Sequence, residues 1–178
     1  MVNIDSRPTG ALRLEHGGLR REASNLARVA GTLGKWTSPE FPDQLTAIRG
    51  FLSRHLLPHA ETEEAILYPL MDKVMGAEQA TATMTADHRE IQRRARALAD
   101  LIVAIGAGPP TAPETEALRE HLYALWAIVD LHLDKEETIL FALLDERLTA
   151  TDVKTLTAKM EAFSGGRPHT PPASSGAR

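Results

Sequence analysis

The chain has 178 residues, 43% of them hydrophobic and 25% charged, with a formal net charge of −4. That length suits one globular domain with a substantial core, and the charge gives no ground for nucleic acid or an anionic membrane as partner. Cysteine is absent, which excludes disulfides, thiolate metal sites and cysteine nucleophiles, so any metal must be held by nitrogen and oxygen.

No apolar run reaches the roughly 18 residues of a membrane-spanning helix. The opening from Met1 to Pro8 has no apolar segment of signal-peptide type. A cytoplasmic protein is the expectation. Residues 1–10, with Pro8 and Gly10, read as a flexible lead-in. Then Leu12, His16, Leu19, Ala23, Leu26, Ala30 and Leu33 recur at alternating spacings of four and three. That is an amphipathic helix with one histidine set into its apolar stripe. Gly34, Ser38, Pro39 and Pro42 punctuate a break. The second helix turns Leu45, Ile48, Leu52, His55, Leu56, His59, Glu63, Ile66 and Leu70 inward. Pro58 removes a backbone hydrogen bond in its middle and predicts a kink just before His59. Pro69 and Gly76 predict its end or a distorted last turn.

The third helix carries Met84, His88, Ile91, Ala95, Leu98, Ile102 and Ile105, each 72 residues beyond its counterpart in the first. Gly106 to Pro110 form a loop, and Thr111 with Glu114 makes a capping-box pattern. The fourth helix runs to about Leu148 with Leu118, Leu122, Leu125, Ile128, His132, Glu136, Leu140 and Leu143 inward. Residues 151–163 form a shorter amphipathic helix, and 164–178 read as a disordered tail. The expected fold is all-α, an up-down-up-down four-helix bundle over residues 11–163 with an additional short C-terminal helix.

The stretch from His59 to Asp72 returns, altered, from His132 to Asp145, with seven of fourteen positions identical. In both copies a histidine precedes a glutamate by four residues, His59 before Glu63 and His132 before Glu136. One helical turn then separates an imidazole from a carboxylate on the same face. In an antiparallel bundle the starts of helices one and three share an end with the finishes of two and four. His16, His59, Glu63, His88, His132 and Glu136 therefore fall on inward stripes at one level. Buried imidazoles and carboxylates are costly unless paired or metal-bound, so six together call for a cation. Mixed imidazole and carboxylate donors suit iron or manganese, with zinc as the alternative.

The order is not the Glu-x-x-His of ferritin-like bundles, since no histidine here follows a glutamate by three. Instead Glu15-His16, the run from His59 to Glu64, Asp87-His88 and the run from His132 to Glu137 resemble the hemerythrin-like (HHE cation-binding) family over residues 11–148. The resemblance implies two iron ions joined by an oxo or hydroxo bridge, with His16, His59, Glu63, His88, His132 and Glu136 as ligands. The oxygen carriers of that family have a further histidine four residues into the third-helix motif, where this chain has Gln92. With six-coordinate irons and both glutamates bridging, each iron keeps one open position. A small-molecule ligand is implied: peroxide, nitric oxide or dioxygen. The enzyme reading is peroxide decomposition or nitric oxide reduction; the alternative is a non-catalytic oxygen- or iron-binding or sensing module. The oligomeric state stays open.

His55 stands one turn before His59 and is a candidate extra ligand or donor beside the ligands; Ile128 takes its place in the second copy. His121 lies eleven residues before His132, roughly 16 Å along the axis and out of reach, and His169 falls in the tail. Tyr68 and Tyr123, half a turn from the nearest ligands, read as structural, while Glu64 and Glu137 point off the ligand face toward arginines or water.

Overall fold

A computed structural model describes residues 7–34 and 40–164. The described residues form five helices: α1 (Gly10–Thr32), α2 (40–75), α3 (Ala82–Ile105), α4 (112–147) and α5 (Ala150–Phe163). The lead-in up to residue 6, the break at Ser38 and Pro39, and the tail with His169 lie outside the described residues. The first four helices form the expected bundle, with α1 and α3 packed along the Ala112–Lys135 stretch of α4. Among the described residues, no helix is long and apolar enough to cross a membrane.

Two apolar layers fill the bundle. One holds Leu19, Leu56, Ile91, Val129 and their neighbours. The other gathers Leu12, Leu67, Tyr68, Met71, Met84, Leu140, Phe141 and Leu144, closed over by Leu156 and Met160 of α5. On each long helix the candidate metal-binding residues fall between a residue of one layer and a residue of the other. His16, for example, lies between Leu12 and Leu19, and His88 between Met84 and Ile91. The polar level is thus sealed above and below.

The duplication extends to the helix caps. Asp72, at the end of α2, accepts hydrogen bonds from Thr81 N and Oγ1, both at 2.9 Å, where α3 begins. Asp145, at the end of α4, accepts from Thr9 N and Oγ1, both at 2.9 Å, where α1 begins. Each outgoing helix therefore supplies the acceptor for two orphan donors at the head of its neighbour. Thr111 and Glu114 form the expected capping box.

Neither proline ends α2. Its discontinuities are π turns, Leu52–Leu56 and Glu63–Leu67, in which Leu57 N–H donates to Leu52 O and Tyr68 N–H to Glu63 O. Pro58 follows the first and Pro69 the second. A wide turn moves aside the carbonyl that a proline ring would strike. The helix runs on to Met75 and stops at Gly76, whose φ of 68° is left-handed. In α4 a third π turn spans Glu136–Leu140, with Phe141 N–H donating to Glu136 O, and no proline follows it, since Ala142 stands where Pro69 does. The wide turn after each glutamate therefore belongs to the repeated motif, and proline only accommodates it.

These turns correct the expected register. Each adds one residue to the turn, so the inward face slips by one position beyond Glu63 and Glu136. Leu67 and Met71 are buried, leaving Ile66 and Leu70 half-buried, and Leu144 is buried in preference to Leu143.

Candidate metal centre

The structure brings together all six residues expected from the sequence. His16, Glu63, His88, His132 and Glu136 are at most 3% exposed and His59 is 7% exposed. They form two groups whose donor atoms lie within 4.8 Å of one another: His16, His59, Glu63 and Glu136, and then Glu63, His88, His132 and Glu136. Both glutamates belong to both groups. Glu63 faces two ways, with Oε1 at 3.4 Å from His16 Nε2 and 3.1 Å from His59 Nε2, and Oε2 at 3.4 Å from His88 Nε2. Glu136 Oε2 lies 3.6 Å from His16 Nε2 and 3.4 Å from His132 Nε2. Donors held about 2.1 Å from a common ion and at right angles stand about 3.0 Å apart, so this spacing suits atoms that share a cation.

The polar bookkeeping points the same way. His16 Nδ1, His59 Nε2, His132 Nε2, Glu63 Oε2 and Glu136 Oε2 are buried and have no hydrogen-bond partner. Each such atom costs about 1–3 kcal/mol if left so, and one cation in each group would satisfy all of them except His16 Nδ1, which faces Glu137. Protonation satisfies only part of the cluster: burial disfavours the His59 cation, but the Glu63 charge and hydrogen bonds to Glu15 and Glu63 outweigh it and hold His59 well above the usual imidazole range. Burial, with the neighbouring Glu63 charge, pushes the Glu136 carboxyl up to about 7. Burial and the adjacent His88 push His132 down to about 4. Glu63 is held well below the carboxylate range, burial being outweighed by the His59 charge and hydrogen bonds to His16, His59 and His88. The two clusters are positioned to chelate metal.

Sequence reasoning placed Tyr68 half a turn from the ligands. The π turn after Glu63 overturns that, because five residues complete about one turn there and Tyr68 lands on the ligand face. Its hydroxyl donates to Glu136 Oε1 at 2.7 Å and sits 3.1 Å from His88 Nε2. Burial, together with the charges of Glu63 and Glu136, holds its proton far more firmly than in an ordinary phenol. In the second copy the same turn delivers Phe141, whose ring centroid is 4.7 Å from that of His16. One half of the site thus has a hydroxyl donor and the other an apolar wall. Tyr123 is 40% exposed beside Trp126 and takes no part.

Glu64 and Glu137 point off the ligand face as expected, and Glu137 meets an arginine, but each also reaches a histidine of the neighbouring helix. Glu64 Oε1 lies 3.1 Å from His88 Nδ1. Glu137 Oε1 lies 3.6 Å from both His16 Nδ1 and Arg20 Nη2, so it meets an arginine and a histidine together. Glu15 Oε1 stands 2.9 Å from His59 Nδ1, and Asp87 Oδ2 stands 3.3 Å from His132 Nδ1 while also pairing with Lys135. The signal available in the sequence was adjacency, since each of these acids neighbours one of the six. His55 is half-buried in the first π turn and belongs to neither group.

Comparison with known proteins agrees with this geometry. A DNA nickase of Nostoc sp. is 29% identical over 133 residues, an alignment covering 71% of this chain and 35% of that protein. The chain therefore spans about a third of that relative's length. No solved structure matches. Residues 7–144 match the family described as the hemerythrin HHE cation binding domain, and the chain belongs to that family.

Proposed function

We propose that the protein is a hemerythrin-like non-haem di-iron protein that reacts with peroxide, nitric oxide or dioxygen. Its ligands are His16, His59, Glu63, His88, His132 and Glu136. The observation that carries this reading is Glu63, whose two oxygens face different histidines. A carboxylate so placed would reach two cations. Imidazole and carboxylate without sulfur suit iron. When bound, two irons supply redox change and open positions for a small ligand.

The residues of the chain do the rest. Glu63 and Glu136, which both groups share, would help hold both ions and offset their charge. Tyr68 keeps its proton on the hydroxyl and gives a hydrogen bond to Glu136 Oε1, so the Glu136 carboxylate is steadied from the His88 and His132 side. Phe141, Leu67, Met71 and Leu144, with Leu156 and Met160 of α5, keep bulk water from that end of the site. A dry surround strengthens every electrostatic contact within it. The relative's nicking activity is no part of this proposal, because a net charge of −4 offers no electrostatic ground for a DNA partner.

The test is to load the purified chain with ferrous iron and add hydrogen peroxide. Sustained oxygen evolution supports an enzyme. A single stoichiometric colour change without turnover supports the alternative, a binding or sensing module. Iron-free protein carrying zinc or manganese by elemental analysis, and taking up no iron, would overturn the di-iron reading.

A further inference from the structure

We infer that Glu15, Glu64, Asp87 and Glu137 form a closed ring of positioning residues around the bundle, each helix orienting a histidine of the next; this rests on the metal reading above. Glu15 of α1 meets Nδ1 of His59 on α2 at 2.9 Å, and Glu64 of α2 meets Nδ1 of His88 on α3 at 3.1 Å. Asp87 of α3 meets Nδ1 of His132 on α4 at 3.3 Å, and Glu137 of α4 stands 3.6 Å from Nδ1 of His16 on α1. All four contacts run in one direction; the first three are within hydrogen-bond distance, and the fourth closes the ring as an ion-pair contact, His16 Nδ1 having no hydrogen bond of its own.

The pattern follows from helix geometry. Each acid is the sequence neighbour of one of the six: Glu15 of His16, Glu64 of Glu63, Asp87 of His88, Glu137 of Glu136. Neighbours on a helix point about 100° apart. When one aims into the bundle, the other reaches sideways to the adjoining helix. The acids are 23–33% exposed at their side chains, against 1–5% for the histidines. Water thus stabilises each carboxylate while its imidazole stays dry. An ionised carboxylate only accepts, so an Nδ1 facing it carries the proton, and with a cation bound inside the bundle Nε2 would present its lone pair to that cation. All four Nε2 atoms face the shared glutamates. The ring therefore fixes both tautomer and ring orientation, the known role of carboxylates behind metal-bound histidine.

Anaerobic titration of the metal-free full chain with ferrous iron, against a competing colorimetric chelator, tests this. Glu64→Ala should bind iron about 10–100-fold more weakly than wild type. Glu64→Gln, whose amide oxygen still accepts from His88 Nδ1, should recover most of that loss. Asp72→Ala removes a helix cap outside the ring, and should lower the melting temperature while leaving iron affinity unchanged. If Glu64→Ala does not fold, Glu15→Ala and Glu15→Gln give the same comparison at His59. Alanine variants that bind as tightly as wild type, or glutamine variants no better than alanine, would overturn the ring alone. A wild-type chain that takes up no iron would overturn the metal reading and the ring with it.

Discussion

Replacing Tyr68 by phenylalanine probes the π turns most sharply. The Tyr68 hydroxyl is buried and donates to Glu136 Oε1 at 2.7 Å, with His88 Nε2 at 3.1 Å. Phenylalanine fills the same volume, as Phe141 does in the second copy, so no cavity term enters. What is lost is a hydrogen bond to a carboxylate in a dry pocket, worth about 1.5–3 kcal/mol. For a chain of this size about 2 kcal/mol lowers the melting temperature by about 4–8 °C. Were the helix regular past Glu63, Tyr68 would face away from the cluster and the change would cost at most about 0.5 kcal/mol. Thermal melts of chelator-treated wild type and Tyr68→Phe, followed by circular dichroism above neutral pH, separate the two. Superimposable melts would refute the placement of the hydroxyl and the register slip behind it.

Other consequences follow from the same geometry. Glu136 has its pKa raised from 4.5 to about 7, so its contribution to stability is full below the lower value and lost as pH rises through the upper. Metal-free Glu136→Gln should match wild type in acid and exceed it above neutrality in urea melts; equal stability above neutrality would contradict the burial cost. His55 lies outside both donor groups, so His55→Ala should leave bound iron and its visible spectrum unchanged, and loss of either would bring His55 into the site. Ending the chain after Leu148 removes buried Val153, Leu156 and Met160, each worth about 1.5–3 kcal/mol before the entropy of ordering α5 is set against it. The urea midpoint should fall, and an unchanged midpoint would mean that α5 adds nothing to the layer over the site.

The sequence was legible where a period could be followed. The apolar stripe from Leu12 to Leu33, repeated from Met84 to Ile105, gave the helices, their faces and the level at which six polar side chains meet. Legibility failed where the period changed. A π turn leaves no mark in a stripe read at 3.6 residues per turn, so Ile66 was taken for Leu67, Leu143 for Leu144, and Tyr68 for a bystander. Pro69 was no guide, because the same turn forms before Ala142. The acids of the ring escaped for a different reason. Their partners sit on other helices, and side-to-side pairing depends on how the helices are rotated against one another. That rotation is a property of packing. Glu64 and Glu137 therefore read as partners of arginines or water until the neighbouring histidines were in place.

The most direct measurement of the central claim is the number of ferrous ions that the metal-free chain binds under nitrogen, read from the break in a titration and checked by elemental analysis. Two ions per chain, falling when Glu63 is replaced by alanine, is the predicted result, because both donor groups draw on that one carboxylate. A break at one ion, or an uptake indifferent to Glu63→Ala, would contradict a centre shared between the two halves of the bundle.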